Sequence, residues 1–256
     1  MLEEHREVVQ RRDDLTVEWI SLINLSGDHA RALELLCARK FHPWEGGEGR
    51  VTRQYTAALL GLAKASLQAG DPAKAAALVR RTMTCPANLG EGKLTGASEN
   101  DVWYYLGCAL QDAKDSAGAR EAFEKAAIGD TDPGIPLFYN DQPADMIFFQ
   151  GLALARLGRA DQARGKFNRL IDYGERRRDD RVSIDYFAVS LPDMLIFEDD
   201  LARRNRTFCT YITGLGALGC ADLRRARALL NEALAADPAH AGAREILRDI
   251  ERGWRF

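Results

Sequence analysis

Residues able to do chemistry gather between stretches of helical periodicity. Residues 41–51, FHPWEGGEGRV, hold His42, Trp44, Glu45 and Glu48 around a Gly-Gly turn. An indole offers a flat apolar face and carboxylates accept hydrogen bonds, a mixture that suits a sugar or a polar peptide. The same residues equally suit a glycine-rich turn with Phe41 and Trp44 tucked under it and the acids in solvent. His42 and Glu45 form a general acid/base pair only where both face one cleft. Farther on, Tyr139, Asn140, Asp141 and Gln142 make a polar-aromatic cluster fit for a hydroxylated ligand, or caps for a helix beginning near Asp145. Asp185 and Tyr186 lie in an apolar, extended-looking stretch, SIDYFAVSLP, that follows the charge run ERRRDDR. These nine candidates, His42, Trp44, Glu45, Glu48, Tyr139, Asn140, Asp141, Asp185 and Tyr186, form the predicted ligand-binding face. They do not compose a catalytic constellation, so an enzyme is not the favoured class.

Other motifs fail on their own chemistry. ANLGEGKLTGASEN superficially resembles a phosphate loop, yet Lys93 is followed by Leu94 instead of Ser or Thr, and Ala87 stands where the leading glycine belongs. Gly214-Leu215-Gly216-Ala217-Leu218-Gly219 matches a dinucleotide-binding pattern, but no strand precedes it and helix packing accounts for the glycines. The five cysteines, Cys37, Cys85, Cys108, Cys209 and Cys220, contain no C-x-x-C pair and no His at ligand spacing. No cofactor or metal is expected, and the thiols are expected to pack as small apolar residues in a reducing cytoplasm.

The elements that position these loops are helical. The 256 residues include 38 Ala and 31 Leu against 8 Val and 11 Ile, which favours helices over a sheet. A net charge of −3 offers no general field for nucleic acid. The N-terminus MLEEHREVVQ lacks the apolar core of a signal peptide, and the longest apolar run, residues 210–223, is broken by three glycines and an aspartate. A cytoplasmic chain without a membrane partner is therefore expected.

Within the helical pattern a unit recurs. In DVWYYLGCALQDAKDSAGAREAFEKAA, Trp103, Leu106, Gly107, Leu110, Ala119, Phe123 and Ala126 take the large, small and aromatic places of a tetratricopeptide repeat, which the unit resembles. Four further frames align, through Trp19/Ile23/Gly27/Ala32/Leu36, Ala63/Gly70/Asp71/Ala75/Val79, Gly151/Leu154/Gly158/Ala163/Phe167 and Gly214/Ala217/Asp222/Ala226/Leu230/Ala233. Equivalent alanines, Ala32, Ala75, Ala119, Ala163 and Ala226, are spaced by 43, 44, 44 and 63 residues. A plain tetratricopeptide array repeats about every 34 residues. Each unit thus carries an insertion between its second helix and the next first helix, and insertions at a constant point emerge on one edge. Asp71-Pro72 reads as an N-cap followed by a helix-compatible proline, and Ser98 with Asp101 as a capping-box-like start.

The expected architecture is all-α: a single tetratricopeptide-like α-solenoid over residues 1–256 with about five helix-turn-helix repeats, near 13–46, 56–88, 100–132, 144–176 and 207–239. Insertions fall at 41–52, 86–99, 129–144 and 174–204, and a capping helix at 240–252. An extra helix is expected in PDMLIFEDDLARR.

The strings RRDDLTVEWISLINLSGDHARALELL, FHPWEGGEG, NLGEGKL, YNDQPAD and DYFAVSLPDML go beyond the generic repeat. With them the chain resembles the C-terminal tetratricopeptide region of large bacterial proteins that carry a mutarotase-like β-sandwich of unknown function before the repeats. That resemblance implies a carbohydrate-related setting. The sandwich is absent here, and LEEHREVVQRR reads as the second helix of a missing earlier repeat. A split or truncated member, or a partner of a separate sandwich protein, is the expectation. The leading functional expectation is a non-catalytic scaffold for a protein partner, either a β-sandwich protein or a second copy of the chain. The alternative is a carbohydrate-binding or glycoside-processing accessory using the loop face.

Overall fold

The structure, a computed structural model, describes residues 4–93, 96–134, 141–182 and 200–254. It is an all-α solenoid of repeated helix pairs. The order is α1 (Arg6–Val9), α2 (Asp13–Ser26), α3 (His29–Ala38), α4 (Arg50–Gln68), α5 (Pro72–Arg81), α6 (Asn100–Asp112), α7 (Ser116–Ala126), α8 (Asp145–Arg156), α9 (Ala160–Arg177), α10 (Leu201–Gly219), α11 (Leu223–Ala236) and α12 (Ala241–Glu251). A 3₁₀ turn, Ala87–Leu89, lies between α5 and α6. Among the described residues no helix is long and apolar enough to cross a membrane.

One local device joins the two helices of every pair. A residue one or two places after the first helix takes positive φ: Gly27 (91°), Gly70 (76°), Lys114 (67°), Gly158 (76°) and Ala221 (63°). The next N–H then reaches back five residues, from Asp28 to Ile23, Asp71 to Ser66, Asp115 to Leu110, Arg159 to Leu154 and Asp222 to Ala217. This closes the carbonyls that a helix end leaves unsatisfied. At four of the five joints that next residue is an aspartate whose carboxylate caps the following helix, accepting from Arg31, Lys74, Gly118 and Arg225 N–H. Pro72 occupies the first turn of α5, as its sequence predicts. The repeat alanines are each the fourth residue of a second helix, and all are buried: Ala32 0%, Ala75 0%, Ala119 3%, Ala163 3% and Ala226 0% exposed.

The helices gather into two compact units, Met1–Ala97 with Tyr105–Ala119, and Ser98–Tyr104 with Arg120–Phe256. In the first, α2, α3 and α4 pack on one another and α5 packs on α4. Its core holds Trp19, Ile20, Leu36, Phe41, Tyr55, Leu59, Val79 and Leu89. In the second, α8, α9 and α10 pack together, α11 on α10 and α12 on α11. A run of aromatic neighbours threads this core: Tyr104 to Phe123 (6.0 Å) and Phe149 (5.9 Å), Phe149 to Phe148 (5.6 Å), and Phe148 to Phe167 (6.0 Å). Such pairs add roughly 0.5–1.5 kcal/mol each beyond area burial.

The dinucleotide-like glycines sit inside α10 as packing positions. A Cβ on Gly216 or Gly219 would meet the Phe167 carbonyl or ring, and one on Gly214 would press Leu230 at 3.2 Å. Gly151 of α8 packs on the same ring, since its Cβ would also fall on Phe167. Helix α4 starts at Arg50 and α10 at Leu201, each six residues before the start of the expected repeat. Helix α6 starts at Asn100, and the Glu99 carbonyl accepts from Trp103 N–H. The helix expected in residues 192–204 lies outside the described residues except for its last turn, which is the beginning of α10.

Candidate functional site

The loop between α3 and α4, residues 39–49, lies against residues 86–91 of the second insertion, within the first unit. Phe41 is 1% exposed, and its N–H donates to the Asn88 carbonyl at 2.7 Å. The Asn88 amide in turn donates to the Leu36 and Arg39 carbonyls, at 2.9 and 2.8 Å, closing the C-terminus of α3. Glu91 accepts from Gly49 N–H (2.8 Å) and Thr52 N–H (3.2 Å), so a carboxylate from one insertion caps the helix that follows the other. Gly90, at φ 77°, lets the backbone pass the Phe41 carbonyl, where a Cβ would collide.

His42 pairs with Asp13 in preference to Glu45. Asp13 accepts from His42 N–H (2.9 Å), His42 Nδ1 (3.2 Å) and Arg39 Nε (2.6 Å). Burial pushes its carboxyl up, but the bonds from His42 and Arg39 outweigh that and hold it below the ordinary 3.8. Trp44 is half-buried, its indole lying against Gly47, while His42, Glu45 and Glu48 are exposed on the tip of the loop. Of the remaining candidates, Asp141 belongs to the second unit and is half-buried. There Met146 and Ile147 N–H donate to the Pro143 and Ala144 carbonyls at the start of α8. Tyr139, Asn140, Asp185 and Tyr186 lie outside the described residues.

The third insertion is held by amides. Gln142 accepts from Asp130 N–H (2.9 Å) and donates to its carbonyl (2.9 Å). Gln150 of α8, fully buried, donates to the same carbonyl at 3.0 Å and accepts from Lys166 Nζ at 2.6 Å. Gly129 (φ 153°) is needed between them, because a Cβ would press both amides at 2.5 Å. Asn100 donates to the Ala126 and Ile128 carbonyls, both at 2.7 Å, and so fixes the end of α7.

This clamped segment forms one wall of a groove along α9. A cavity of about 770 Å³ is lined by Glu124, Ile128, Leu154, Arg159, Lys166 and Arg169 among others. A second, of about 480 Å³, continues past Asp132, Asp172, Tyr173, Arg176 and Arg177, and the two share Gly165 and Arg169. Ile128 is 74% exposed although its backbone is clamped. Burial, then the neighbouring Arg169 charge, hold the Lys166 ammonium below its ordinary value. The groove can seat an extended chain with a large apolar residue. Of the described candidates, His42, Trp44, Glu45, Glu48 and Asp141, none lines it. Its residues look like ordinary helix surface; the available signal was that Lys166 has no acid one turn away on either side.

Among the described residues no group of three or more His, Cys, Asp or Glu side chains is arranged to hold a metal ion. No protein-family model matches the chain. It is similar to YrrB, a TPR protein with an unusual peptide-binding site, at 15% identity over 96% of this chain and 95% of that chain, with a TM-score of 0.30. It is also similar to MamA, at 16% identity over 78% of this chain and 99% of that chain, with a TM-score of 0.27.

Proposed function

We propose that the chain is a non-catalytic binding module for a protein partner, and that the partner lies in the groove along α9. The observation that carries this is the groove itself: two cavities joined along α9, lined by Ile128 and Leu154 together with charged side chains, beside a loop clamped by Asn100, Gln142 and Gln150. Preorganised backbone around exposed apolar side chains lowers the ordering cost of association. Among the described residues no carbohydrate-specific feature accompanies it, since His42 is committed to Asp13 and Trp44 to Gly47.

The test is a photo-crosslinking amino acid at Gln162, which lines the groove and is exposed, with the same group at Glu48 as comparison. Expected are covalent polypeptide adducts from position 162 in cells. A separate β-sandwich protein or a second copy of this chain would both register as such adducts. The proposal fails if position 162 captures no polypeptide while oligosaccharides raise the melting temperature of the chain.

A further inference from the structure

The groove also specifies the chemistry of what fills it. Resting on the reading above, we propose that its occupant is an acidic peptide segment, with a carboxylate between Lys166 and Arg169 and a large apolar side chain against Ile128.

Charge carries the first part. Among the described residues, five cations (Arg159, Lys166, Arg169, Arg176, Arg177) and three carboxylates (Glu124, Asp132, Asp172) line the two cavities, in a chain of net charge −3. Three of the cations are answered locally: Arg159 by Glu124 at 3.9 Å, Arg176 by Asp172 at 3.5 Å and Arg177 by Asp180 at 2.9 Å. Lys166 and Arg169, one turn apart on α9, make no ion pair among the described residues. The hydrogen-bond partner of Lys166 is the neutral Gln150 amide, which fixes the ammonium and leaves two N–H donors for a ligand. The carboxylate near both cations, Asp130, accepts instead from Thr131 and Asp132 N–H, at 2.6 and 3.1 Å. Two like charges held on adjacent turns repel each other, and a carboxylate placed between them removes that cost.

Shape carries the second part. The Ile128 carbonyl accepts from Asn100, so its backbone is fixed while its side chain stands in the groove beside Ala127 and Leu154. The lining positions of α9 run from Gln162 to Arg177, about 22 Å at ~1.5 Å per residue. An extended segment covers that length with roughly seven residues at ~3.3 Å each. A nucleic acid fits less well, because Glu124, Asp132 and Asp172 interrupt the cations along the whole track.

The experiment is panning of a displayed random heptamer library on the full chain, with binders measured by fluorescence anisotropy. Expected binders are rich in Asp and Glu and carry one Leu, Ile or Phe. Arg169→Glu, an exposed position that leaves the Lys166–Gln150 bond in place, should weaken them at least tenfold. Ile128→Ser should weaken them several-fold, and raising salt should weaken them further. Unchanged helical circular dichroism and melting temperature, with Arg169→Gln as the milder variant, separate lost binding from lost folding. Heptamers without acidic bias, or indifferent to Arg169→Glu, overturn this proposal while polypeptide adducts at position 162 would keep the protein-partner reading. Absence of both heptamers and adducts overturns the two together.

Discussion

The loop bundle of the first unit and the groove of the second are built from opposite uses of polar side chains. In the bundle, Asp13, Asn88 and Glu91 commit their hydrogen-bonding capacity to the chain itself, closing α3 and opening α4. Phe41 is buried beneath them. In the groove, amides hold the backbone while Lys166 and Arg169 make no ion pair among the described residues and Ile128 keeps its side chain in solvent. The difference teaches where recognition lies: with groups whose interactions the fold leaves incomplete, whatever their residue type.

Phe41 offers the largest way to break this division of roles. Phe41→Ala should cost about 3–5 kcal/mol in urea unfolding, through lost burial and the cavity left behind. Acidic-peptide binding by the second unit should survive under native conditions; a Phe41 variant that folds yet loses that binding would erase the division.

Two carboxylates in the first turns of α2 and α6 sharpen it. Asp13 sits below its ordinary value, so its contribution is full above pH 3.8 and is lost as pH falls through the lower folded value. Asp101 is pushed up to about 7, by burial first and then by Asp145, Glu245 and Glu99, against the bond from Val102 N–H. The folded chain there holds a proton that the unfolded chain releases above 3.8, so stability declines as pH rises from 3.8 toward 7. Asp101→Asn should raise the melting temperature at pH 8 and flatten its dependence between pH 5 and 8 relative to the parent chain. Asp13→Asn should lower it at neutral pH and leave little difference near pH 2.

Smaller effects follow at the caps. Glu91→Ala should cost about 1–2 kcal/mol, by leaving the Gly49 and Thr52 N–H groups without their carboxylate. Hydrogen exchange at the start of α4 would report it; unchanged protection there would mean that the cap contributes nothing. Smallest is a gain: Ala221→Gly should stabilise by about 0.5–1 kcal/mol, since Ala221 carries a Cβ at φ 63°. Chemical denaturation reads the sign.

The helix pairs were legible because close packing demands small residues at fixed places. Ala32, Ala75, Ala119, Ala163 and Ala226 all prove buried at one register, and Gly214, Gly216 and Gly219 pack within α10. The early starts of α4 and α10 were not legible. What supports the start of α4 comes from remote sequence, Glu91, whereas α10 has a local cap, Asp200 accepting from Arg203 N–H, beside the remote bonds from Asn205 to the Arg177 and Arg178 carbonyls. The anchoring of the first loop was hidden for a related reason. His42 and Trp44 have the residue types of a ligand site, but the partner of His42 lies 29 residues earlier in the chain. Glu91 stands in a Gly-Glu-Gly string like that around Glu48, yet it is bonded where Glu48 is exposed. Lys166 and Arg169 were hidden by lying on a helix surface, where a cation normally needs no explanation.

The joint repeated between paired helices bears on how the chain folds. Each joint is specified within about six consecutive residues, by a left-handed residue, a backward N–H bond and, at four of five, a capping aspartate. Helical hairpins closed by such short loops nucleate locally, on the microsecond scale of loop closure and helix growth. The long insertions then fall between nuclei already formed. Extending one from 44 to 63 residues of spacing adds only a weakly length-dependent entropy of closure, and leaves the nuclei on either side intact.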